Sequence, residues 1–289
     1  MKKWIVLLVI FSLSFTAFSA EAKGREVYIA LGDSLAAGQT PNRAIDVGYV
    51  DLIAQEMARS NQLAFYSKEL AFPGYTTADV LATIRKKEAK ELLKNATVVT
   101  ISAGANDLLQ LVQVNPTSGS VSYQQVSTDF ALNNVRKNIA EIIKEVKAVA
   151  PKAKIYVMGY YFAYPHVHEL QKEGIRKELS TLHTILKEQT EANGATYVSV
   201  EETFNLHEKE LLPNPADVHP SMEGYRQMAN AFFSQYNKQS QVTSNELPEP
   251  NPLTFEEILE LQKKEEKSPV SRVEGLDDYL SLTELKVFI

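Results

Sequence analysis

Short apolar runs rich in β-forming residues recur along this chain, and each is followed by a stretch with helical spacing. No other feature limits the fold as strongly. The runs lie at 27–31, 63–70, 97–102, 153–159 and 196–200. Between the first two, Val50, Ile53, Ala54, Met57 and Ala58 repeat on one helical face, predicting a helix over 47–60. Between the next two, Thr76 or Thr77 caps a helix that buries Val80, Leu81 and Ile84 and continues through a Lys/Glu-rich stretch to about 94. A long helix over 126–149 carries Phe130, Val135, Ile139, Ile142, Ile143 and Val146 on its buried side and stops at Pro151. Further helices are expected at 170–192 and 221–236. Five strand–helix alternations predict an α/β fold of three layers, α/β/α, with a five-stranded parallel sheet wound right-handed.

The length and composition suit one large domain over 25–238. The 289 residues are 44% hydrophobic and 23% charged, enough for a sizeable core. A net charge of −6 with both signs interspersed leaves no extended basic surface, so nucleic acid is not an expected partner. At the N-terminus, Met1-Lys2-Lys3 precedes an uncharged apolar run of about 15 residues and then Ala20-Glu21-Ala22. That pattern reads as a secretory signal peptide over 1–22, and the run is short for a membrane span. The chain has no cysteine, which rules out a Cys-linked lipid anchor and disulfides without opposing secretion. Residues 239–252 are polar with three prolines and read as a linker. The tail at 253–289 reads as helical or disordered.

Chemistry converges on the end of the first strand. Residues 30–38 read Ala-Leu-Gly-Asp-Ser-Leu-Ala-Ala-Gly. Gly32 permits a sharp turn, Asp33 can cap the next helical turn, and Ser34 falls where a strand ends and a helix begins. Alone, Gly-Asp-Ser is an ordinary turn and cap. It is followed by Ala71-Phe72-Pro73-Gly74-Tyr75-Thr76, then Ile101-Ser102-Ala103-Gly104-Ala105-Asn106-Asp107, then Pro215-Ala216-Asp217-Val218-His219-Pro220. In order and spacing these four blocks resemble the SGNH hydrolases, or GDSL lipases and esterases, over about 27–233. The resemblance implies a flavodoxin-like arrangement of the sheet and a serine ester hydrolase without cofactor or metal.

That resemblance implies Ser34 as nucleophile and His219 as base. Among the five histidines, only His219 sits in an Asp-x-His-Pro setting ahead of a closing helix. The family places its acid three residues before the histidine, and here that position is Ala216. Asp217, two residues before, is the expected acid, although residues i and i+2 meet only where the backbone is extended or kinked. Oxyanion donors carry over as the Ser34 and Gly74 backbone N–H groups and the Asn106 amide.

Around this centre, the apolar stretch 108–114 reads as a buried helical turn or as a wall of an acyl pocket. The aromatics Tyr160, Tyr161, Phe162 and Tyr164 lie beyond a strand's carboxyl end, where ligands of α/β sheets sit, and form a candidate substrate rim. His166 and His168 lack an acidic or histidine cluster to complete a metal site. His183 reads as a surface or satisfied helix residue. The expectation is a secreted lipase, esterase or thioesterase acting through an acyl-enzyme on a small-molecule or lipid ester, with the cell envelope as a candidate place of association. The alternatives are a carbohydrate O-acetylesterase of the same fold and a catalytically weakened extracellular binding module.

Overall fold

The computed structural model describes residues 24–115 and 120–248. The expected signal peptide over 1–22, the tail over 253–289 and the last part of the expected linker lie outside the described residues. In chain order the elements are β1 (Glu26–Gly32), α1 (Ser34–Ala37), α2 (Tyr49–Arg59), β2 (Leu63–Ala71), α3 (Thr77–Ile84), α4 (Lys87–Leu93), β3 (Val98–Ser102) and α5 (Ala105–Leu109). There follow β4 (Gln113–Asn115), β5 (Ser120–Ser122), α6 (Gln125–Val149), β6 (Lys154–Met158), α7 (Glu169–Ala192), β7 (Thr196–Val198), α8 (Glu201–Leu206), α9 (Glu208–Leu211) and α10 (Met222–Tyr236).

The five expected strands form one parallel sheet in the order β2-β1-β3-β6-β7. This is the flavodoxin-like order, with its switch point between β1 and β3. Helix α2 packs against α10, whereas α6 packs against both α3 and α7. Helices cover both faces, so the central strands read as apolar runs rather than alternating ones. Tyr28 to Leu31 and Val98 to Ser102 are buried without exception.

Four expectations are corrected by tertiary packing. The helix expected to run from the Thr76 cap to 94 is two helices, because Lys86 is extended at ψ 149°. The break lets Val80 and Ile84 on one segment and Ala89 and Leu93 on the next all reach the core. Phe130 is 68% exposed rather than buried. It stands two residues, or about 200° of helical rotation, from Leu132, which begins the buried stripe continued by Val135 and Ile139. The stretch after Leu109 includes β4, which pairs with β5 as a short antiparallel hairpin. Finally, the segment expected to leave the domain at 239 stays on it through 248. Val242 is buried, its carbonyl accepts from Arg226 and Asn230, and Glu246 pairs with Arg59 at 2.7 Å.

Candidate active site

Strand β1 ends in a turn that only glycine can make. Gly32 has φ +142°, and a Cβ there would lie 2.1 Å from the Ser102 carbonyl oxygen. The next N–H, from Asp33, donates to that oxygen at 2.9 Å, so the turn is pinned to the end of β3. Asp33 caps α1 by accepting from the Leu35 N–H at 3.0 Å. The same carboxylate accepts from the Ser102 hydroxyl at 2.9 Å and the Tyr160 hydroxyl at 2.7 Å. Burial pushes its pKa up, against the pull of these three donors. Ser34 follows as the first residue of α1, and its N–H has no intrahelical acceptor.

His219 arrives from the loop before α10. Its Nε2 lies 2.7 Å from Ser34 Oγ, and its Nδ1 lies 2.6 Å from Asp217 Oδ1. Ser34 and His219 are each 8% exposed, enough shelter to strengthen these bonds while leaving the hydroxyl reachable. The i, i+2 spacing of Asp217 and His219 works through one oxygen. Asp217 Oδ1 also accepts the His219 backbone N–H, at 2.8 Å, an Asx-type turn that swings the carboxylate under the ring. Ala216, at the family's usual acid position, is exposed. The loop is held by the Tyr161 hydroxyl, which donates to the Val218 carbonyl at 2.8 Å, and by the Asn214 amide, which donates to the Pro41 carbonyl at 2.8 Å.

The second and third blocks meet beside this row. Phe72 to Tyr75 form a turn in which the Tyr75 N–H donates to the Phe72 carbonyl at 3.2 Å. Gly74 takes φ +84° at its third position, as a type II turn requires. The Asn106 amide donates to the Tyr75 carbonyl at 2.9 Å, which fixes the amide and leaves its second N–H free. Asn106, Ser34 and His219 all line one cleft, whereas Gly74 stands on the exposed turn outside that lining with its N–H unpartnered. Asp107, the next residue, accepts the Thr77 N–H at 2.8 Å and the Thr77 hydroxyl at 2.7 Å, tying α5 to the start of α3.

The cleft encloses about 100 Å³ and is walled mainly by apolar side chains. Leu108, Leu109 and Val112 line it, so the first part of the 108–114 stretch ends helix α5 and walls the pocket before β4 begins. Phe162, Tyr164 and Leu182 are also among the lining residues. Of the expected aromatic rim, Tyr160 and Tyr161 also line the cleft, and their hydroxyls brace Asp33 and the His219 loop. Those bracing roles were not visible in the sequence, where only the position of the pair beyond a strand end pointed to the site.

The remaining histidines have other partners. His166 Nε2 lies 2.8 Å from the Leu212 carbonyl oxygen, and His168 caps α7. His183 is buried, with Nδ1 3.1 Å from Glu201 and Nε2 unpartnered, and burial lowers its pKa. Among the described residues, no group of three or more His, Cys, Asp and Glu could hold a metal ion.

The GDSL-like lipase/acylhydrolase family model matches residues 30–227. The spore germination lipase LipC of Bacillus licheniformis is 24% identical over 210 residues, covering 70% of this chain and 92% of that protein. Among solved structures, a lipase from a goat rumen metagenome superposes with TM-score 0.59 at 23% identity, covering 72% of this chain and 96% of its own. A variant of an acetyl xylan esterase from Geobacillus stearothermophilus gives 0.57 at 19% identity, covering 76% and 98%. With the family match spanning most of the chain and the sheet order agreeing, this protein belongs to the GDSL-like lipase/acylhydrolase family, the SGNH hydrolases.

Proposed function

We propose that this protein hydrolyses carboxylic esters or thioesters through an acyl-enzyme on Ser34. The observation that carries the reading is the hydrogen-bonded row from Ser34 through His219 to Asp217, set at one end of an apolar cleft. In the first half-reaction Ser34 Oγ attacks the acyl carbon while His219 Nε2 takes its proton. Asp217 orients the ring and stabilises the imidazolium. The Ser34 N–H, the free Asn106 N–H and the Gly74 N–H are the proposed donors to the oxyanion, with Gly74 reaching it only if its turn approaches the bound substrate. The bond to the leaving oxygen or sulfur breaks, and His219 returns the proton to it. Water then repeats the sequence on the acyl-serine, freeing the acid and Ser34.

The cleft walls favour a lipid or fatty-acyl group. A carbohydrate O-acetylesterase remains the second reading, because the acetyl xylan esterase shares the fold. The intact hydrogen-bonded row argues against a weakened binding module. Secretion, or a place at the outer face of the cell envelope, after removal of 1–22 rests on the N-terminal sequence pattern. Fractionation of cells expressing the full chain tests that part.

The activity is tested with p-nitrophenyl esters from acetate to laurate and with a fluorophosphonate label, using Ser34→Ala as control. Labelling at Ser34 and preferred turnover of medium or long chains, both lost in the variant, are expected. Acetate-only turnover would favour the acetylesterase. An unlabelled serine together with no serine-dependent hydrolysis would overturn the hydrolase reading.

A further inference from the structure

Helix α7 presents a stripe of side chains to the cleft: Ile175, Glu178, Leu179 and Leu182. Their spacing puts all four on one helical face. Three are apolar, as that face demands, and one is a carboxylate. Among the described residues that line the cleft, Glu178 is the only carboxylate besides Asp33.

Its carboxylate is sparsely bonded. Glu178 is 9% exposed, Oε1 accepts from the Gln125 amide at 3.2 Å, and among the described residues Oε2 has no hydrogen-bond partner. Among the described residues, no Lys, Arg or His comes within 4.0 Å of it. The same Gln125 amide also serves Asp129, at 2.8 Å. Tyr123 and Thr128 also line the cleft, and burial, with Glu178 beside it, raises the Tyr123 pKa. A plain alkyl chain laid over Oε2 would strip its remaining water and return no hydrogen bond, a loss of a kind that buried carboxylates do not tolerate. A chain carrying an O–H at that level would replace the water and bond to the free oxygen.

We propose that Glu178 is the specificity-determining residue of this cleft, selecting acyl chains that carry a hydroxyl beyond an apolar stretch over unsubstituted alkyl chains. This rests on the hydrolase reading for its substrate, but the selectivity belongs to the cleft and is measurable without turnover. A site built to hydrogen-bond a hydroxyl discriminates against the analogue lacking it far more strongly than an apolar pocket discriminates by one methylene.

The test compares p-nitrophenyl esters of straight-chain acids with their ω-hydroxy counterparts, from hexanoate to dodecanoate, in the full chain, Glu178→Leu and Glu178→Gln. At one chain length the hydroxylated ester is expected to win by about 10-fold or more in kcat/KM. Glu178→Leu should reverse that ratio, and Glu178→Gln, which retains the packing, should shrink it several-fold. Thermal melts confirm that each variant is folded. In parallel, the Ser34→Ala protein is titrated with the methyl esters of the same acids, with and without Glu178→Leu. Tighter binding of the hydroxylated ester that is lost with Glu178 supports the proposal even if no ester is turned over. A ratio near one at every length, in turnover and in binding, overturns it and leaves the hydrolase reading standing. A ratio that survives Glu178→Leu also overturns it.

Discussion

Two aspartates flank Ser34, and the loops that carry them are built on opposite principles. Asp33, in the β1–α1 turn, is fully enclosed and accepts from one backbone N–H and two hydroxyls. Asp217, in the loop before α10, keeps 10% of its side chain exposed and directs one oxygen to the imidazole and to its backbone. The first carboxylate holds β1, β3 and the segment after β6 together. The second holds the His219 ring in place. Burial beside Ser34 therefore does not by itself link a carboxylate to the histidine; the loop that carries it does.

The comparison is attacked most sharply at the hydroxyl both loops serve. Ser34→Ala should lower kcat by about 10⁴-fold or more, and His219→Ala by a similar factor, since residues acting as one unit fail together. Steady-state rates on the best ester check this, and independent effects in the double variant would break the unit. Asp217→Asn should cost about 10³–10⁴ in kcat while leaving the melting temperature nearly unchanged, because the amide keeps the turn but presents the wrong tautomer to the ring. Asn106→Ala should lower kcat by about 10²–10³ without unfolding the protein; a variant that fails to fold would assign Asn106 to structure instead.

The smaller effects probe stability. Asp33→Asn should lower stability by about 1–3 kcal/mol, since one donor among Leu35, Ser102 and Tyr160 loses its acceptor. Denaturant melts measure it, and a loss of kcat as large as that of Asp217→Asn would erase the distinction between the two carboxylates. The mildest test concerns His183, whose folded pKa lies below its ordinary 6.5 because burial disfavours the charged ring more than Glu201 favours it. Its neutral form is favoured in the folded state, so its contribution is full above pH 6.5 and is lost as pH falls through the folded pKa. Melting temperatures should therefore drop below pH 6.5 more steeply for the native protein than for His183→Gln.

Much of this arrangement was legible in the chain. The strand runs, the Thr76 cap and the order of the four blocks are local, so periodicity and turn chemistry expose them. The helix break at Arg85–Lys86, the exposure of Phe130 and the β4–β5 hairpin were not, because each depends on which neighbouring surface is available to cover it. The same holds within the site. A spacing of two residues said little about whether Asp217 could reach His219; the Asx-type turn that lets one oxygen serve both ring and backbone is a property of the folded loop.

By itself the sequence determined a parallel α/β sheet and a serine at the end of its first strand, since both follow from residue periodicity and from glycine's tolerance of a sharp turn. Only the tertiary structure decided that Asp217 reaches the histidine across a spacing of two residues, that Asn106 rather than Gly74 lines the cleft, and that Glu178 lies within it. Those outcomes depend on contacts between segments up to 185 residues apart, and contacts of that range are set by how helices and loops share one buried volume, not by the local preferences of the residues that make them.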